Sequence, residues 1–203
     1  MPTSAERLKH GHFVEDQFEE FMRKFPNWKL IEDGQRRLPE HQQMEARQIF
    51  VPFDSKFGEE LKSMLPSSWV DVYEQRLAKE GIPNGERFVS DFSCHLSGWP
   101  IFDAEIKSEM TGHPNITFEL SGYLWSKYEQ LKHGSNKVFI FAVGEQNFDW
   151  FYLFLDQIPQ LTSRVLPGRD CAGSGRPFGL IPKSALTQKF EHLLWYYETL
   201  LAK

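Results

Sequence analysis

Cysteine is nearly missing from this chain: 203 residues carry only Cys94 and Cys171. Two distant thiols neither build a disulfide framework nor supply the paired ligands of a structural zinc site. The histidines, at 10, 12, 41, 95, 113, 133 and 192, show no zinc-type spacing either. No apolar run approaches the roughly 20 residues that a membrane-spanning helix needs. The opening MPTSAERLKHGH also lacks the apolar stretch of a secretory signal. A cytoplasmic setting, in a cell or an infected host, is therefore expected, with no membrane partner. A basic excess is missing as well. Lys and Arg number 23 against 28 Asp and Glu, a net charge of −5. That excludes a generic basic coat for nucleic acid and confines any polyanion contact to local patches. A glycine-rich phosphate loop is excluded too, because Gly173-x-Gly175 runs into Pro177 with no strand–turn–helix pattern around it. Aromatic residues are abundant, with 18 Phe and 6 Trp in a chain that is 40% hydrophobic. Such a chain can fill the core of one substantial domain spanning 1–203.

The stretch that organises the sequence is FVSDFSCHLSGWPIFDAEIKSE, Phe88 to Glu109. Asp91 heads its first apolar run, Gly98-Trp99-Pro100 signals a turn, and Ile101 to Lys107 alternates apolar with charged residues. Period-two alternation predicts a strand with Phe102, Ala104 and Ile106 toward a core and Asp103, Glu105 and Lys107 on the other face. At a sheet edge those charges would be solvated and their ion pair worth little. In a central strand they would need one another or a cation. If the two runs pair as a hairpin, Asp91 returns beside Glu105. Two carboxylates with the Ile106 carbonyl could then hold a hard divalent cation, Mg²⁺ or Mn²⁺. Lys107, on the same face as Glu105, could orient the attacking water or neutralise charge on a phosphate.

Around this stretch the chain alternates helical and extended patterns. Val14, Phe18, Phe21, Met22 and Phe25 form the apolar stripe of a helix that begins after Ser4 and stops at Pro26. Trp28 to Ile31 reads as a short strand. Residues 33–87 hold a possible strand at 48–51 and helical patterns at 55–64 and 67–80, and close on a loop at 81–85. After the hairpin, Asn115 or Thr117 is expected to cap a helix running to about His133. Leu120, Leu124, Tyr128 and Leu131 make its stripe, while Ser121, Tyr123, Lys127 and Gln130 are polar or amphipathic. Val138 to Val143 is an apolar run typical of a strand buried on both faces. Asp149 to Asp156 is read as its hairpin partner. Leu166 to Gly179 reads as a loop, and Ser184 is placed as the cap of a last helix to Leu201. That helix would dock through Phe190, Leu193, Leu194, Tyr197 and Leu200. His10 and His12 are assigned to the surface.

Ser90-Asp91, a short hairpin and Glu105-Ile106-Lys107 resemble the PD-(D/E)XK nuclease superfamily, with Ser90 standing where the family name has Pro. The resemblance covers roughly residues 5–25 and 88–156. It implies an α/β fold, a central mixed β-sheet flanked by helices in a restriction-endonuclease-like core, with 33–87 as a helical insertion. It implies a Mg²⁺- or Mn²⁺-dependent nuclease that hydrolyses phosphodiester bonds, of Holliday-junction-resolvase-like or restriction, phage or homing endonuclease type. In that reading Asp91, Glu105 and the Ile106 carbonyl bind metal, and Lys107 acts on the water or phosphate. A glutamate of the first helix assists, Glu15 before Glu19. Lys127 or Gln130 is the auxiliary residue on the later helix. Arg36, Arg37 and Lys132 are placed at the substrate phosphates from local sequence context. DNA is expected before RNA, and a homodimer follows if two strands are to be cut. An exonuclease or nickase stays open. The alternative is a non-catalytic nucleic-acid-binding or protein-interaction module that keeps the nuclease fold.

Overall fold

The structure, a computed structural model, describes residues 4–32, 90–109, 113–120, 123, 126, 127, 130, 134, 136–145, 147–166 and 178–202. The expected insertion at 33–87, with Arg36 and Arg37, lies outside these residues, as does Lys132. Among the described residues no helix is long and apolar enough to cross a membrane.

Helix α1, Ser4–Met22, forms because Val14, Phe18 and Met22 recur at helical spacing, and all three are buried. Pro26 follows, and the chain turns into strand β1, Trp28–Glu32. Strands β2, Phe92–Leu96, and β3, Trp99–Ser108, make the central hairpin. The two-residue turn is Ser97-Gly98, with φ of 52° and 87°. Those positive angles match the twist of paired strands. The turn thus falls one residue earlier than the sequence suggests, and Trp99-Pro100 already belongs to β3. Pro100 is tolerated because the ladder shifts register there, opposite Cys94 and His95.

Strands β5, Lys137–Val143, and β6, Asp149–Phe154, complete a sheet of order β1-β2-β3-β5-β6. All pairs are antiparallel except β3 with β5, so the sheet is mixed. A parallel pair demands a crossover, and the crossover carries an unexpected element. Asn115–Glu119 is not the start of a helix but strand β4. Its Ile116 and Phe118 point inward and alternate with the polar Asn115, Thr117 and Glu119, a strand pattern that the capping potential of Asn115 had masked. Helical residues begin only at 120. Tyr123 and Ser126 on that segment are buried, so the inward face includes Tyr123, which had been assigned a polar or amphipathic place. Gly134, at φ of 67°, donates its N–H to Gln130 O at 2.9 Å.

A second sheet, of order β4-β8-β7, uses β7, Arg164–Leu166, and β8, Phe178–Pro182. Neither strand was expected. Leu166, Phe178 and Gly179 had been assigned to a loop, of which 167–177 lies outside the described residues. The strand run also ends at Phe154, since Leu155–Gln157 is a 3-10 turn leading to helix α2, Ile158–Leu161. The last helix, α3, spans Phe190–Leu201, not 184–201; Ser184 sits in a separate 3-10 turn. Phe190, Leu193 and Leu194 are buried, but Leu200 is 51% exposed and does not dock.

Two apolar layers sandwich the main sheet. On one face α1 and α3 cover Phe92, Phe102, Ala104, Ile106, Val138 and Ile140. On the other face the second sheet and α2 cover Phe139, Phe141 and Leu153. β5 is therefore buried on both sides, as its unbroken apolar run requires.

Candidate active site

β3 lies in the middle of the sheet with β2 on one side and β5 on the other. Its alternation sends Phe102, Ala104 and Ile106 to the layer beneath α1 and α3. Asp103, Glu105 and Lys107 must then share the opposite face. On β5 that face is apolar, with Phe139 beside Glu105 and Phe141 beside Lys107 in register. The charges therefore stand at the border of the second core, where they are only partly solvated.

The β2–β3 pairing ends at Phe92 opposite Ala104. Asp91, the next residue out, takes the place that strand pairing vacates: its Oδ2 accepts the Ile106 N–H at 2.7 Å. In an extended strand the carbonyl of a residue leaves on the same edge as its N–H. The Ile106 carbonyl thus shares the side on which Asp91 sits. Lys107 donates from Nζ to Glu105 Oε1 at 2.5 Å, and its ammonium lies 5.7 Å over the Phe139 ring. Their side chains are 25% and 11% exposed, so this is not a solvated surface pair. The other oxygen, Glu105 Oε2, is buried and has no hydrogen-bond partner among the described residues. A buried carboxylate oxygen without a donor is costly.

Electrostatics joins further residues to the group. Burial first, then Glu105, and more weakly Glu15, push the Asp91 carboxyl well above its ordinary value. Lys107 and the Ile106 N–H oppose the shift without reversing it. Burial pulls the Lys107 ammonium down, but Glu105 and Asp91 push it up, with Glu119 adding to them, and the net direction is up. Glu15 of α1 is thus brought to the cluster. Glu19, one turn on, lines a groove between the end of α1 and β1 with Met22, Arg23 and Trp28. Gln130 accepts the Lys137 N–H at 3.1 Å and so fixes the start of β5. The Lys127 ammonium lies 6.0 Å from the Tyr123 ring. His10 is half-buried: burial lowers its pKa against the pull of Glu109, and its Nε2 has no hydrogen-bond partner among the described residues.

Glu119 and Lys137 of this region escaped the sequence reading, as did the contact that Ser90 makes. Glu119 ends β4, and recognising that strand is what would have turned it toward the site. Lys137 and Ser90, both buried, bond through Nζ and Oγ at 2.9 Å. The available signal for Lys137 was a lone cation heading a strand that has no solvated face.

The donor set suits a hard cation. Two carboxylates and a backbone carbonyl are oxygen ligands, and the orphaned Glu105 oxygen is the group that such an ion would satisfy. Among the described residues no three His, Cys, Asp or Glu side chains gather into a ready-made cage. A cation would therefore rest on Asp91 and Glu105 and take its other ligands from water and substrate oxygens, as Mg²⁺ commonly does. No family model, no curated protein and no solved structure matches this chain.

Proposed function

We propose that the chain is a Mg²⁺- or Mn²⁺-dependent nuclease of PD-(D/E)XK type that hydrolyses phosphodiester bonds. In this reading it acts on DNA as an endonuclease and as a homodimer. The observation that carries the reading is the buried Glu105 Oε2, which has no hydrogen-bond partner among the described residues, together with an Asp91 whose pKa burial and Glu105 push well up and a Lys107 that donates to Glu105 Oε1. When bound, the cation polarises the scissile phosphate and makes a water more acidic.

The residues divide the remaining work. The Asp91 carboxylate, anchored on the Ile106 N–H, would bind a cation in competition with a proton. Glu105 presents Oε2 inward and uses Oε1 to hold Lys107. Lys107, raised above its ordinary value, keeps its proton near neutrality and so is an electrostatic group, not a base. Its ammonium is placed to offset charge that builds on the phosphate oxygens. Glu15 adds negative charge that raises the Asp91 pKa and would also attract a cation there.

Plasmid incubated with the purified chain should be nicked or linearised with Mg²⁺ or Mn²⁺ and left intact with EDTA. Intact plasmid under both conditions, across DNA and RNA substrates, would sink the reading in favour of a binding module that keeps the fold without the chemistry.

A further inference from the structure

Lys137 heads a strand buried on both faces and is itself only 4% exposed. A buried ammonium persists only where its donors are answered. Ser90 Oγ accepts a hydrogen bond from Nζ at 2.9 Å, and Asp103 Oδ2 lies 3.5 Å away. Register places Lys137 beside Asp103, on the face that carries Glu105 and Lys107. The backbone here is fixed as well. Lys137 N–H donates to Gln130 Oε1 at 3.1 Å, and Asp103 N–H donates to Asn136 O at 2.7 Å.

Ser90 is buried and directly precedes Asp91, yet strand pairing begins only at Phe92. A chain just outside a ladder opens more readily than the ladder itself. Asp91 nevertheless keeps its carboxylate on the Ile106 N–H. We propose that Lys137 is a positioning residue for the carboxylate site: its ammonium anchors Ser90, and this anchor holds Asp91 on Ile106 beside Glu105. Ordering the ligand during folding means that a cation need not order it on binding. The inference rests on the nuclease reading only where cation affinity is concerned.

The test uses the metal-free full chain as wild type, Ser90→Ala and Lys137→Met. Ser90→Ala is the gentle variant, because Lys137 keeps Asp103. Amide hydrogen exchange at Ile106 should speed up by about tenfold in both variants, while amides of β5 and β6 stay protected. Mn²⁺ affinity by calorimetry should fall by about tenfold in both, the size expected for one lost hydrogen bond to a charged group. A folded Ser90→Ala protein with wild-type exchange at Ile106 overturns the inference, even if wild type cleaves DNA. Wild type that neither binds Mn²⁺ nor cleaves removes the nuclease reading instead, and the Ile106 amide still decides the role of Lys137.

Discussion

Asp91 titrates against its surroundings. Its folded pKa is raised, by burial and then by Glu105, so the folded chain binds this proton more tightly than the unfolded chain does. The metal-free protein must therefore lose stability as pH climbs from the ordinary Asp range, about 3.9, through the raised value. Lys107, also raised, contributes stability below the ordinary Lys value that is lost only when pH rises through its higher folded one, a separate and strongly alkaline window. Asp91→Asn removes the first penalty. Its metal-free melting temperature at neutral pH should exceed wild type by about 2–4 °C for each kcal/mol relieved. Mn²⁺ affinity of wild type should rise over the same pH window, because cation and proton compete for one carboxylate. Thermal melts and calorimetry across pH check both; an Asn variant that melts below wild type without metal would contradict the argument. Lys107→Ala reads the neighbouring charge. It leaves Glu105 unpaired, so the cost is about 1–3 kcal/mol, between an exposed and a buried pair. Single-turnover cleavage at saturating Mg²⁺ should fall by about 10²–10³-fold. A folded variant cutting at the wild-type rate would take Lys107 out of the chemistry.

Elements differ in how much of themselves they write into the sequence. β3 and β5 were legible because one alternates and the other is apolar from Val138 on, and a local hairpin brings Asp91 to the Ile106 N–H. β4, β7 and β8 were not. β7 is three residues long, and β4 owes its form to β8, whose partners lie 59 (Glu119 and Phe178) to 67 (Asn115 and Pro182) positions away. Glu119 and Lys137 were lost with them, since a second sheet and a parallel crossover bring them in. The α3 boundary failed for a related reason: Ser184 has the chemistry of a cap, but the chain makes a 3-10 turn there and bridges Lys189 to Phe151 before it coils. The second sheet leaves a sharp test. Phe118 and Gly179 are register partners, and the Phe118 ring fills the space a side chain would need. A Cβ on Gly179 would lie 2.2 Å from Phe118 Cζ, and that ring is buried against Tyr123. Gly179→Ala should cost about 1–3 kcal/mol in chemical denaturation, the usual size of overpacking. A neutral result would mean that β4 and β8 are not packed as described.

The whole molecule sets the terms on which a polyanion can approach. The chain carries −5 overall, and Glu15, Glu105 and Glu119 add their charge near Asp91 and Lys107. Duplex DNA would meet repulsion from the surface at large and again at the carboxylates, so attraction must come from a divalent cation and from a few Lys and Arg. Two consequences follow for DNA binding by Lys107→Ala, chosen because it should cut slowly. Affinity should rise when Mg²⁺ replaces EDTA, since the cation reverses the local field where the phosphate must sit. At fixed Mg²⁺ it should fall with added monovalent salt, by about 0.9 in log K per log unit of salt for each phosphate contacted. A chain with few basic contacts would show a slope of only a few such units, shallower than that of a basic DNA-coating protein. Titration of a labelled duplex between about 50 and 200 mM salt measures it. Affinity that stays flat over that range, or that ignores Mg²⁺, would mean that phosphates do not dominate the contact, and the carboxylates of β3 would then need another ligand.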